Sequence, residues 1–441
     1  MTPAARIAAA IELIAALEAE CFAPEARRRP ADAVASDFFR ARRFIGGADR
    51  RAIAERAWGV VRQRLRLDWH LSRIGMAPTP RLLLLAHMLL TEGMAREAAE
   101  AAFDGSRYGP PALDPGERRA AAALAGRPLC DPAMPEAARL NLPAWLLPAF
   151  AARFGPLLAE EAAALEAEAP LDLRVNLLKT DRAGAMARLA AEGIRTEPTP
   201  LSPWGLRLPA RRPVTGSAAF REGLVEVQDE GSQLIALLAD ARPGMRVADF
   251  CAGAAGKTLA MAATMANRGR ITACDTSAAR LEGAARRLRR AGVDNAERHL
   301  LTPGDRWAKR RARSFDRVLV DAPCTGTGTW RRNPDARLRT RPGDLAELVA
   351  VQHDILGRAA ELVRPGGRLI YATCSLLPEE NEEQMERFLA RGAAFLPVPL
   401  NRLWTDLVPG VPPPCAGPWL ALSPGAQGTD GFFCAVLERR A

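Results

Sequence analysis

Apolar residues recur at three- and four-residue spacing through Ile7–Leu17, Ala52–Leu71 and Arg81–Phe103, with no alternating stretch among them. That period collects apolar side chains on one face and predicts an all-helical N-terminal region. A Pro/Gly-rich passage follows, YGPPALDPGERR and then GRPLCDPAMPEAARLNLP, and reads as a linker around further short helices. PAWLLPAFAARFGPLLAEEAAALEA predicts a helical pair. LDLRVNLLKT reads as a strand, AGAMARLAAEG as a helix and WGLRLP as a strand, a small α/β module near 171–222. From about Glu222 strands and helices alternate. MRVADF (245–250), GRITACD (269–275), FDRVLVDAP (315–323) and GRLIYATCS (367–375) are the strands, and Ser277–Ala291 and Asp344–Val363 are helices between them. This order predicts a parallel, doubly wound α/β sheet. The chain thus divides into a helical region at 1–130, linker helices with the small module at 131–221, and an α/β domain at 222–441, with no internal repeat.

Composition narrows the class. At 441 residues, 48% hydrophobic and 25% charged, the chain is an ordinary globular one of about three domains, which excludes disordered, collagen-like and disulfide-scaffold proteins. The longest apolar run, Leu82–Leu90, contains His87 and falls short of the ~20 residues a bilayer span needs. Glu12, Glu18 and Glu20 interrupt any signal-peptide core, so a cytoplasmic, membrane-free protein is expected. Eight cysteines without a C-x-x-C pair argue against a disulfide framework and a zinc site. His70, His87, His299 and His353 have no metal-ligand spacing either, and no metal is expected. A monomer is the default.

The formal net charge of +10 is carried by arginine, since only Lys179, Lys257 and Lys309 are lysines. Such a balance permits a polyanionic partner. Between Arg306 and Arg341 there are 11 basic residues against 3 acids. This stretch reads either as a phosphate-tracking surface or as a solvated face. Trp307 and Trp330 within it are candidates for stacking on bases, with core packing the more common fate of an isolated tryptophan.

The strand MRVADF runs into CAGAAGKT (Cys251–Thr258) and then a helical segment. Strand, small-residue turn and helix make a nucleotide-sized pocket, because small residues let the backbone approach a ligand. Asp275 ends the next strand, where a carboxylate is placed for ribose hydroxyls. The Walker pattern fails, because Cys251 stands where its first glycine belongs, and this disfavours an ATPase. No G-x-G-x-x-G is present. A nucleoside cofactor without a phosphate tail fits best, the alternative being a tight turn with no ligand.

DAPCTGTG (Asp321–Gly328) closes one strand and YATCS (Tyr371–Ser375) a later one, which sets Cys324 and Cys374 at the ligand-binding ends of the sheet. A lone strand-end cysteine is more often a buried small hydrophobe; two, one beside Asp321, point to chemistry. Methylation of a pyrimidine at C5 is chemistry that wants a thiolate, and a second cysteine can assist it. A thiolate added at C6 makes C5 nucleophilic, a carboxylate on the N3/N4 edge stabilises the adduct, and a second thiol assists departure of the C5 proton and of the first sulfur.

DFCAGAAGKT, Asp275 with Arg280-Leu281, DAPCTGTG, RRNP, YATCSLLPEEN and the terminal TDGFF, preceded by VQDEGSQL, resemble the Sun-type (Fmu) RNA cytosine-C5 methyltransferases over about 222–441. The resemblance implies a Rossmann-like class I methyltransferase domain and S-adenosylmethionine as cofactor. It implies Cys374 as the nucleophile, Cys324 as the residue assisting release, and Asp321 as the contact to the base beside the cofactor. Cys251, Ala252, Gly253, Ala254, Ala255, Gly256 and Lys257 would cradle S-adenosylmethionine, with Asp275 on the ribose, Arg280 beside it and Asp305 facing the adenine. The loop departs from the family's usual CAAPGGK: Ala254 replaces proline and Ala255 replaces glycine, which bears on its backbone geometry. WGVVRQRLRLDWHL (58–71) and LNLPAWLL resemble the NusB-like RNA-binding domain fused to bacterial members, which favours ribosomal over transfer RNA. A transfer-RNA enzyme and a non-catalytic ribosome-assembly protein are the alternatives. Cys21, Cys130, Cys274, Cys415 and Cys434 lack a motif and read as buried small residues, and Glu379, Glu380 and Asn381 as a helix start, with a site role the alternative that their place in the family motif leaves open.

Overall fold

A computed structural model describes residues 1–23, 28–210, 212–392 and 394–440. The chain forms two compact units, Met1–Glu166 with Arg332–Pro342, and Ala167–Arg331 with Gly343–Ala441.

The first unit is helical. Its opening helix, Pro3–Leu17, starts on Thr2, whose hydroxyl accepts from the Ala5 amide at 3.1 Å, and proline occupies the first turn, where no amide donor is needed. Gly47–Arg73 is one long helix, and Pro80–Leu90 is buried along nearly its whole length. The apolar run at Leu82–Leu90 is therefore a core helix. His87 fits inside because Gly59 lacks a side chain; a Cβ there would lie 2.4 Å from the imidazole. The helix expected over Arg81–Phe103 is two helices, Pro80–Leu90 and Arg96–Ala101, since the chain turns at Gly93 with φ +65°. Arg332–Pro342 belongs here although it follows Cys324: the Asp335 carboxylate accepts from the Ala31 amide (3.1 Å) and Arg339 (2.8 Å), and Leu338 packs on the helical core. Among the described residues no helix is long and apolar enough to cross a membrane.

The second unit holds two sheets. The small one comprises β1 (Leu171–Val175), β2 (Glu197–Pro198), β3 (Gly205–Leu208) and β4 (Val225–Val227) in the order β2-β3-β1-β4, all antiparallel. Leu173, Val175, Leu206 and Val225 pack with Leu189 of the helix Arg182–Ala191. The large sheet has β5 (Arg246–Asp249), β6 (Arg270–Asp275), β7 (Ala296–Leu300), β8 (Phe315–Asp321), β9 (Val363–Thr373), β10 (Phe395–Pro397), β11 (Leu420–Leu422) and β12 (Phe432–Arg439). Its order is β10-β12-β9-β8-β5-β6-β7, with β11 on β12.

The strands β5 to β9 pair in parallel as expected, and β12 joins antiparallel beside β9. β7, reading AERHL, lacks an apolar run because it is a largely exposed edge. The chain crosses one way from β5 to β6 and the other way from β8 to β9, which opens a crevice at the carboxyl ends of β5 and β8.

Candidate active site

Loop 250–256 is built against β6. The Ala252 amide donates to the Cys274 carbonyl at 2.8 Å, and the Gly253 amide to Asp275 Oδ2 at 2.8 Å. Asp275 Oδ1 accepts from Ser277 N at 2.7 Å, just before the helix Ala278–Ala291. Ala255, where the loop departs from its usual glycine, is fully buried and left-handed at φ +64°, ψ +28°, a conformation costing about 1–2 kcal/mol for a residue with a Cβ. The helix Gly256–Thr264 follows. Asp249, at the tip of β5, accepts from the Thr258 hydroxyl at 2.6 Å, and its Oδ1 has no partner among the described residues. Burial pushes this carboxyl up to about 7, against the pull of the Thr258 hydrogen bond.

The two motif cysteines meet. Register pairs Asp321 of β8 with Ala372 of β9, so both chains leave the sheet at one level. Cys324 Sγ and Cys374 Sγ lie 3.3 Å apart. The Cys374 contact, together with burial, pushes the Cys324 thiol well above its usual range. Lys257 Nζ donates to Asp321 Oδ2 at 2.6 Å. Burial works to lower the Lys257 pKa, but the charge and hydrogen bond of Asp321 outweigh it and hold the ammonium protonated.

Glu380, fully buried, braces the Cys324 turn. Its carboxylate accepts from the Thr325 amide (2.9 Å), the Thr325 hydroxyl (2.5 Å) and Gln352 Nε2 (2.9 Å), and the Tyr371 hydroxyl donates to its carbonyl (2.7 Å). Asn381 likewise braces Cys374's neighbours, accepting from Thr373 Oγ1 (2.6 Å) and donating to the Ser375 carbonyl (2.9 Å). Gly328 donates to the Cys374 carbonyl (2.9 Å) and accepts from Gly431 (2.8 Å). The glycines of TGTG and TDGFF thus let three backbone segments converge.

These groups line a cavity of about 580 Å³, within the usual range of ligand pockets. Of the residues named from sequence, Cys251, Ala252, Gly253, Ala254, Gly256, Lys257, Asp275, Arg280, Asp321, Cys324 and Cys374 line it. Ala255 lies behind the loop. Asp305 is not among the lining residues: its carboxylate accepts from Trp307 N (2.8 Å) and lies 2.5 Å from His299 Nε2. Asp249, Gln228, Ser232 and Leu301 line the cavity and were missed, as were Val351, Asp354, Ile355 and Arg358. The last four share a face of the helix Pro342–Ala360, and their three- and four-residue spacing was the available signal.

Other expectations sort by burial. Trp307 and Trp330 are core residues, which excludes stacking on bases. The basic stretch is no continuous surface: Arg317, Arg331 and Arg337 are buried, Arg317 pairing with Asp240 and Arg331 with Asp430, while Arg306, Lys309, Arg310 and Arg313 are exposed. Cys130 is exposed rather than buried, being in a loop among Pro128, Asp131 and Pro132, and Cys415 is half-buried. Cys21, Cys274 and Cys434 are buried as expected, with burial raising their thiols.

A cavity at the switch point, a left-handed small-residue turn after the first parallel strand and a carboxylate ending the next define a class I S-adenosylmethionine-dependent methyltransferase. The site fits that cofactor: the volume suffices, Asp275 borders the turn, and Asp249 Oδ1, without a partner among the described residues, offers a hydrogen-bonding group at the cavity wall. Residues 236–438 match the family described as 16S rRNA methyltransferase RsmB/F, and residues 142–215 match its ferredoxin-like domain. A probable ribosomal RNA small subunit methyltransferase B of Synechocystis sp. is 36% identical over 68% of this chain and 67% of its own. Ribosomal RNA small subunit methyltransferase B of Klebsiella pneumoniae is 31% identical over 90% and 91%. A solved methyltransferase homolog from Pyrococcus horikoshii shares the fold at 28% identity and TM-score 0.59, over 69% of this chain and 97% of that one. The chain belongs to the RsmB/F family of methyltransferases and is an enzyme that uses S-adenosylmethionine.

Proposed function

We propose that this enzyme methylates C5 of a cytosine in small-subunit ribosomal RNA through a covalent adduct on Cys374. The observation that carries the reading is the 3.3 Å contact of Cys324 and Cys374 at the cavity wall they share with Asp321. The relatives' ribosomal names favour that RNA. Residues 1–130 would bind RNA as a NusB-like domain.

When bound, S-adenosylmethionine supplies an electrophilic methyl group. Residues 251–257 would hold it, with Asp275 toward the ribose and Arg280 beside it. Cys374 adds as thiolate to C6 of the cytosine, forming the S–C6 bond while the C5–C6 π electrons shift toward N3; Asp321 accepts from the N4 amino group and holds the Lys257 ammonium, whose charge offsets the one that builds on the ring. C5 then takes the methyl group. Cys324 keeps its proton in the resting enzyme because Cys374 and burial disfavour its charge. Once the Cys374 sulfur is bound to carbon its charge is gone, so Cys324 ionises more readily. It then removes the C5 proton, directly or through water, as the C6–S bond breaks and Cys374 leaves as thiolate.

The test uses labelled S-adenosylmethionine with RNA, and separately ribosomal subunits, from a strain lacking the protein, followed by digestion to nucleosides. Label in 5-methylcytidine that vanishes in Cys374→Ala, with a denaturation-stable protein–RNA adduct in Cys324→Ala, supports the reading. Label in any other nucleoside, or undiminished in Cys374→Ala, overturns it. Label in transfer RNA alone would reassign the substrate.

A further inference from the structure

In β1 the side chains alternate. Leu173 and Val175 enter the small module's own core, whereas Asp172 and Arg174, equally buried, are polar. The polar residues from Arg174 onward grip carbonyls of the methyltransferase fold. Arg174 Nη1 donates to the Gly256 carbonyl at 2.7 Å and to Gln228 Oε1. Asn176 Nδ2 donates to the Ala291 carbonyl at 2.8 Å, and Lys179 Nζ to the Arg290 carbonyl at 2.7 Å. These last two carbonyls end the helix Ala278–Ala291, where donors and cations are favoured.

The same helix sends Arg287 back to the loop, its Nη1 donating to the Ala254 carbonyl at 2.7 Å. Glu226 of β4, buried, stands 3.5 Å from Arg287 and 2.5 Å from Arg290. The carbonyls on both sides of left-handed Ala255 are therefore each held by an arginine. Gln228 in turn donates to Ser232 Oγ at 3.0 Å, and both line the cavity.

Arg174 is an odd choice on stability grounds alone. Its hydrogen bonds among the described residues go to neutral oxygens, its Nε has no hydrogen-bond partner there, it sits at a helix N-terminus, where a cation is disfavoured, and the attraction of Glu226 does not offset its burial. What the placement does provide is two N–H donors fixed on the first residue of the helix and on a cavity-lining glutamine.

We propose that Arg174 and Arg287 are positioning residues for S-adenosylmethionine: they hold the Gly256 and Ala254 carbonyls, one residue to either side of Ala255, so the small module supplies part of the cofactor site without touching the cofactor. The proposal rests on residues 251–257 being the cofactor cradle. A turn fixed beforehand need not be ordered on binding, which is where the affinity comes from.

Titration calorimetry with S-adenosylmethionine tests it on the full chain, with circular dichroism to verify folding. Arg174→Met should raise Kd at least tenfold and Arg287→Met, on a half-buried helix face, at least threefold, with KM for RNA within twofold. Ala255→Gly added to Arg174→Met should recover at least threefold, because glycine adopts the turn unaided; a merely structural arginine would show no such rescue. Kd within twofold of wild type in both arginine variants, while Asp275→Ala weakens binding, overturns the clamp. If Asp275→Ala and Gly253→Val also leave Kd unchanged, the cradle reading fails and the clamp with it. Should Arg174→Met not fold, Arg287→Met decides alone.

Discussion

Lys257 Nζ lies 2.6 Å from Asp321 Oδ2, and the two partners are unequally buried, their side chains 10% and 33% exposed. Removing either therefore strands a different charge. Asp321→Ala leaves an ammonium in a nearly dry site, at a cost of about 2–4 kcal/mol, whereas Lys257→Met leaves a carboxylate that water reaches, at about 1 kcal/mol. Urea unfolding should rank Asp321→Ala as the less stable variant, and the reverse ranking would refute this account of the pair. Both should lower methyl transfer at least tenfold.

Asp249 should make stability pH-dependent. In the unfolded chain its carboxyl ionises near 3.8, whereas burial holds it protonated up to about 7 in the folded protein. Between those values the unfolded state has released a proton that the folded state keeps, so this residue's contribution falls as pH rises through that window. The midpoint of Asp249→Asn relative to wild type should rise steadily from about pH 5 to about pH 7.5. A constant difference would sink the idea.

Glu380→Gln replaces a buried carboxylate that accepts three hydrogen bonds at the Cys324 turn with an amide that can accept at only one atom. Lost charge-assisted bonds cost about 1.5–3 kcal/mol each. Turnover should drop about tenfold with little change in the S-adenosylmethionine Kd, since the cradle is built on other strands. An equal loss in Kd would show that Glu380 acts through the whole cavity.

Gly328→Ala should be among the most damaging single-methyl changes. A Cβ there would lie 2.2 Å from the Gly431 carbonyl oxygen, a backbone atom that cannot swing aside. Loss of soluble expression, or a thermal midpoint lower by about 5 °C or more, is expected; a wild-type midpoint would mean that the segments separate readily. Gly343→Ala, which meets nothing within 4 Å, is the matched control.

How much of this was legible varies with the range of the interaction. Helices and central strands came from local periodicity, because burial on one face repeats along the chain. The edge strand β7 was missed since an exposed strand has no such pattern. Arg332–Pro342 could not be placed, because its partners, such as Ala31, are distant in sequence. Glu380 looked like a helix start, and nothing local distinguishes a carboxylate that caps a helix from one that braces a turn 55 residues upstream.

The order of residues was enough to determine where the candidate groups stand: two thiols, a carboxylate and a small-residue turn, each at the end of a strand, where the parallel topology makes side chains converge. Tertiary structure alone decided which of the candidates share the cavity. It turned Asp305 to His299 and brought in Asp249, Gln228 and the 351–358 helix face. It also set Arg174 against the Gly256 carbonyl. The physical reason is that a strand end defines a level in the sheet, whereas the neighbours of a side chain depend on how distant segments pack, and no local pattern encodes that.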